Sequence, residues 1–129
     1  MNSLHALNEY RNVGNRGSVE GASPYQLIGL LFDSALDRIA AAKGAMERGD
    51  TTRQGELISK AINIIDNMRA SLDFDKGGDI AKNLGDLYGY MENRLLEARV
   101  DSDAAKLDEV SALVREIKTG WDGIPAEHR

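Results

Sequence analysis

The chain has 129 residues, 42% of them hydrophobic and 29% charged, with a formal net charge of -5. That is enough for one ordinary globular domain with a real core and no staples. Its acidity, with no Lys/Arg cluster, argues against nucleic acid and anionic membrane surfaces as partners. The absence of cysteine excludes disulfides, thiolate metal sites and cysteine nucleophiles.

The N-terminus, "MNSLHALNEYRN", lacks the basic start and apolar run of a signal peptide. No segment approaches the roughly 20 apolar residues of a membrane span. The expectation is a cytosolic protein with no membrane insertion. The only prolines are Pro24 and Pro125, so nothing between them forbids long helices. Alternating strand patterns are missing.

In chain order, residues 3–13 suit a short helical arm, and "VGNRGSVEG" reads as a connector. Ser23, Pro24 and Gln26 then form an N-cap, a first helical residue and the partner of a capping box. That helix runs to about Met46. Gly49-Asp50 stops it and caps the next, over about Thr51–Ser71. The Gly77-Gly78 pair ends the following loop. A third helix runs from about Asp79 to Val100. "DSD" (101–103) is a turn, and a last helix ends near Trp121. The predicted organisation is an arm and connector over 1–22, a bundle over 23–121 and a polar tail over 122–129. Four helices of about 30 Å with short connections predict an all-α fold, an antiparallel up-down four-helix bundle.

Apolar residues placed at helical intervals show what each helix buries. The last helix carries a narrow seam of Leu107, Val110, Val114, Ile117 and Trp121. The third carries Ile80, Leu84, Leu87, Met91, Leu95 and Ala98. The first two helices have wider stripes, including Leu27, Leu31, Phe32 and Ile39, then Leu57, Ile58, Ile62, Ile65 and Met68. A wide stripe is either core shared among neighbours or partly a groove for a partner's amphipathic helix. Beside the third seam, Asn83, Tyr90 and Arg94 form a flanking column. It suits either a wet bundle edge or a docking surface.

Catalytic and metal chemistry finds little support. The loop Asp73–Gly78 resembles the start of an EF-hand, but Gly77 and Leu84 occupy positions where that loop needs oxygen ligands. The only histidines, His5 and His128, lie at the ends, so phosphotransfer and di-iron bundles are excluded. Nucleophile–base pairs and a P-loop are missing. We expect no enzyme, no metal and no cofactor.

Several segments, in order, resemble the FliS-type flagellar export chaperones. "NEYRNV" is similar to that family's Tyr-x-x-Val arm. "ASPYQLIGLLFDSAL" is similar to its first long helix, and "GDTTRQGELISKAINIIDNMRASLD" to its second. "DKGGDIAKNLGDLYGYMENRLLEA" carries the most specific block. The resemblance spans about residues 8–121. Phe32 and Ser34 stand where the family usually has Tyr and Gly.

The resemblance implies a bundle that holds the C-terminal segment of flagellin, prevents its polymerisation and delivers it to the flagellar type III export gate. It implies partner contacts among Tyr10, Val13, Leu27, Leu30, Leu31, Ile58, Ile62, Ile65, Asn83, Leu87, Tyr90 and Arg94. Tyr10 and Val13 would act as a displaceable lid or as direct contacts. A homodimer is left open. Two alternatives stand beside this reading: a homo-oligomeric helical adaptor and a small carboxylate-dependent enzyme.

Overall fold

The computed structural model describes residues 21–128. Among them are four long helices and no strand: α1 (Pro24–Glu47), α2 (Thr51–Ala70), α3 (Phe74–Asp101) and α4 (Ala104–Asp122). One 3-10 turn, Ala126–His128, follows. α1 packs on α2 and α4, and α3 packs on the same two helices, closing a four-helix bundle. The expected arm lies outside the described residues.

Short polar residues set the helix starts. Ser23 Oγ accepts from the Gln26 backbone N–H at 3.2 Å, and Gln26 Oε1 accepts from the Ser23 N–H at 2.9 Å. This completes the capping box, with Pro24 at the first helical position. Asp50, Asp73 and Asp103 cap α2, α3 and α4. Each satisfies a donor that a helix start leaves without an intrahelical partner. Gly49 turns the chain with a φ of 71°, a backbone angle that costs glycine little.

α3 starts earlier than the glycine pair suggests. Phe74 opens a helical turn capped by Asp73, and the helix breaks at Gly78, where φ is 52° and ψ is -129°. Continuous helix resumes beyond it, where the sequence places the start. At the other end Ser102 adopts a left-handed conformation, φ 51° and ψ 47°. The Asp103 N–H then reaches the Ala98 carbonyl at 3.1 Å, which satisfies an orphan carbonyl of the last turn.

The core takes one strip from every helix. Leu31, Phe32 and Ile39 from α1 meet Leu57, Ile58, Ile64, Ile65 and Met68 from α2. Tyr88, Met91 and Leu95 from α3 and Leu107, Val110 and Val114 from α4 complete it. α1 and α4 are fastened at one end of the bundle by a reciprocal clamp. Tyr25 Oη donates to the Trp121 carbonyl at 2.8 Å, and Trp121 Nε1 donates to the Tyr25 carbonyl at 3.1 Å. Their rings stack with centroids 5.2 Å apart, and Phe32 meets the indole edge-on, so polar satisfaction and aromatic packing coincide.

The α3 seam departs from expectation at two positions. Ile80 is 74% exposed. Its neighbour Ala81 is only 4% exposed, so the buried strip runs through Ala81, Leu84 and Tyr88, and Ile80 stands one position round from it, facing outward. Tyr88, absent from the expected seam, is buried instead. Burial pushes its phenol up to about 12, because the anion would lose its hydration.

Two predictions follow from this packing. Leu95 has no exposed surface, so Leu95→Ala should cost about 2–5 kcal/mol in chemical denaturation. Ser34 Oγ is buried without a hydrogen-bond partner. Ser34→Ala should therefore be neutral or stabilise by up to about 1 kcal/mol, and a clear loss of stability would show that the hydroxyl is satisfied in solution.

Candidate functional site

The bundle settles which stripe residues are core. Leu31, Ile58 and Ile65 have at most 2% of their surface exposed. They are held among α1, α2 and their neighbours and present nothing to a partner in this conformation. The physical reason is the width of the stripes: α1 and α2 each serve two neighbours, and the centre of each stripe goes to the core. Leu27, Leu30, Ile62 and Leu87 are half-buried. Asn83 is exposed, and Tyr90 is 44% exposed. Tyr10 and Val13 lie outside the described residues.

The remaining candidates occupy separate flanks. Leu27 and Leu30 lie on the opposite side of α1 from Tyr25 and Phe32, the residues that contact α4. Ile62 shares a face of α2 with Gly55 and Arg69, which touch α3 at Arg99 and Gly89. Asn83, Leu87, Tyr90 and Arg94 share the α3 flank that turns toward α4. The structure thus brings Leu87, Tyr90 and Arg94 together and leaves the α1 and α2 candidates apart from them.

The α3 flank is held by charge. Tyr90 Oη donates to Glu109 Oε2 on α4. Arg94 Nε donates to Glu109 Oε1 at 2.8 Å, and Arg94 Nη2 lies 2.7 Å from the same oxygen. The guanidinium also stands 5.8 Å from the Tyr90 ring centroid, within cation–π range. A second knot joins Lys106 to Glu97 at 3.0 Å and to Asp101 at 3.2 Å. The Tyr90 hydroxyl, then Arg94, holds the Glu109 carboxyl below its ordinary range. Lys106 does the same for Glu97. These groups are polar, paired and largely solvated, an arrangement suited to fixing a surface rather than to moving protons.

Toward α2 the environment differs. Burial, then the Asp66 charge, raises the Glu92 carboxyl, and Arg69 at 3.2 Å pulls it partly back. Next to this pair an open groove of about 590 Å³ is lined by Arg69, Phe74, Gly85, Gly89, Tyr90 and Asn93, with Lys82 and Asp86 at its rim. Sequence patterning did not single out this groove. Its signal was there in Gly85 and Gly89, two glycines one turn apart inside a helix. Each weakens the helix by roughly 0.5–1 kcal/mol relative to alanine, so each invites a spatial explanation.

Among the described residues, no cluster of three or more His, Asp or Glu side chains could hold a metal ion. No helix among them is long and apolar enough to cross a membrane.

Residues 6–128 match the model of the family described as flagellar protein FliS. The chain belongs to the FliS family. It is 48% identical to the flagellar secretion chaperone FliSB of Pseudomonas aeruginosa, across 96% of this chain and 98% of that protein. It is 44% identical to the flagellar secretion chaperone FliS of Salmonella typhimurium, across 96% of this chain and 93% of that one. It is 38% identical to the corresponding Vibrio cholerae protein, across 95% and 90%.

The flank chemistry makes a pH prediction. A carboxylate whose folded pKa is depressed adds stability above its unfolded pKa and loses it as pH falls through the folded value. Glu109 and Glu97 should thus tie α3 to α4 at neutral pH and release it in acid. Glu109→Gln should lower Tm at neutral pH. Its deficit against the unmodified chain should shrink as pH falls below about 4. A deficit independent of pH would mean that Glu109 acts through packing alone.

Proposed function

We propose that this chain is a cytosolic flagellar export chaperone without catalytic activity. It binds the C-terminal segment of flagellin, keeps that segment from polymerising and supports its delivery to the flagellar type III export apparatus. The observation that carries this reading is membership of the FliS family along almost the whole chain, with relatives named as flagellar secretion chaperones. The surface supports it. Apolar and aromatic groups left outside a complete core, at Leu27, Leu30, Ile62, Leu87 and Tyr90, suit contact with amphipathic pieces of a client.

The energetics fit a reversible carrier. Apolar burial contributes roughly 25 cal/mol per Å², and ordering a disordered client offsets several kcal/mol of it. Separate contact patches on different flanks let a long segment wrap the bundle in pieces. Asn83 and Arg94 flank the apolar contacts and can satisfy polar groups of the client. Tyr10 and Val13 contact the client or cover its site, in this proposal.

Calorimetric titration with a flagellin peptide of about 40 C-terminal residues, long enough for helices of typical size, tests the reading. Saturable one-to-one binding with a negative heat-capacity change is expected. Ile62→Lys and Tyr90→Ala should each weaken it by about tenfold or more while the helical spectrum is kept. Removal of residues 1–16 should change affinity or kinetics. A folded wild-type chain that takes up no peptide would refute the flagellin assignment.

A further inference from the structure

We propose that the short turn at the start of α3 is a displaceable plug. Phe74 fills a seat on Gly85 that a large apolar side chain of the client takes on binding, and the turn rocks outward between Leu72 and Gly78 to make room. The plug presupposes the flagellin reading and adds how the client gains its place on α3.

Phe74 is 55% exposed, yet its ring has a defined resting place. A Cβ built at Gly85 would lie 3.5 Å from Cε1 and Cζ of that ring and 3.6 Å from Leu72 Cδ1. In an unbroken helix, positions 74 and 85 would stand roughly 16 Å apart along the axis. Here the turn is folded back by the break at Gly78, with φ 52° and ψ -129°, angles that suit glycine. Gly77 serves the same fold. A Cβ there would stand 2.6 Å from the Cβ of Ala81, so the turn lies flat on α3 only without one. Gly77, Gly78 and Gly85 thus answer to a single feature.

The turn is built to move as a unit. Its hydrogen bonds are internal: the Lys76 N–H donates to Asp73 Oδ1 at 3.0 Å, and the Gly77 N–H donates to the Asp73 carbonyl at 2.7 Å. Among the described residues, no side chain of 74–77 forms a hydrogen bond or ion pair with another helix. Leu72, by contrast, packs against the core and remains as a wall of the seat when the ring leaves. With Phe74 out, the groove over Gly85 and Gly89 runs on to Leu72. Hinges of this kind are a few element-terminal residues that absorb a change in backbone angle.

Phe74 also shows what the seat accepts. A ring resting on bare backbone and Leu72 is replaced like for like by a leucine, methionine or phenylalanine from the apolar face of a client helix. Lys82 is exposed at the groove rim and joins no ion pair among the described residues, so it can meet a carboxylate beside that side chain. The plug keeps the seat covered while no client is present, which denies other proteins an apolar patch. Its consequence is a lower apparent affinity, because only the open fraction of the chain binds.

The full chain contains two phenylalanines, Phe32 and Phe74, so fluorophenylalanine labelling gives two fluorine NMR signals. Phe32, 1% exposed, is the core reference. On saturation with the flagellin C-terminal peptide, the Phe74 signal should move to the position of a solvated ring while that of Phe32 holds. Phe74→Ala removes the competitor and should bind the peptide several-fold more tightly. Gly85→Leu fills the seat from α3 itself and should bind several-fold more weakly, with the helical spectrum kept. Peptide uptake with the Phe74 signal unmoved would overturn the plug and leave the flagellin reading intact. So would weaker binding by Phe74→Ala, or unchanged binding by Gly85→Leu. No uptake by the unmodified chain and by Phe74→Ala alike would refute the flagellin reading, and the plug with it.

Discussion

Burial of one apolar strip from each helix against two neighbours is the constraint on which the rest of the structure depends. The centre of every strip is taken out of water completely: Ile39, Ile58, Ile64, Met91, Leu95 and Val110 keep 1% or less of their surface exposed. Hydrophobic burial is the dominant favourable term in folding, and here it fixes the rotation of each helix about its own axis. Once the rotations are fixed, every remaining side chain has an assigned place. Tyr25 and Trp121 must face one another at the end of α1 and α4. Tyr90 and Arg94 must stand over Glu109. The flanks are consequences of the core.

A bundle organised this way has little interior left for chemistry. Its polar groups are spent on caps and on ties between helices, and the ties lie at the surface where water tempers them. What the fold offers instead is relief: half-buried apolar groups along the edges of the seams, glycine hollows and protruding leucine and valine. These are the materials of recognition. A protein that must hold an aggregation-prone segment and then release it gains from such distributed, modest contacts. A single deep pocket would resist release.

Much of this was legible in residue order. The capping box at Ser23–Gln26, the stop at Gly49-Asp50 and the seams of α4 each follow from local rules that the tertiary structure does not override. The seam of α3 was legible in part, at Leu84, Leu87, Met91, Leu95 and Ala98. Ile80 and Tyr88 were not, because the buried strip runs through Ala81, Leu84 and Tyr88, one position round from the Ile80–Leu84–Leu87 line that the larger apolar residues suggest. The wide stripes of α1 and α2 were ambiguous for a related reason. Periodicity shows that Leu31, Ile58, Ile62 and Ile65 are apolar. Only the neighbours' positions show that Ile62 lies at the edge and the others at the centre. The groove over Gly85 and Gly89 needs Phe74 and Arg69 from outside the continuous part of α3. No single helix pattern contains it.

The account's central claim is that the bundle takes its client on the edges of a core that stays closed. Isoleucine-methyl NMR of the full chain, titrated with the flagellin C-terminal peptide, tests this directly, because edge and core residues sit on one helix. Ile62 should shift strongly on binding while Ile58 and Ile65, fully buried at 0% exposure, hold their positions. Shifts at Ile58 and Ile65 as large as that at Ile62 would show that the bundle opens to receive the client, and would contradict the account.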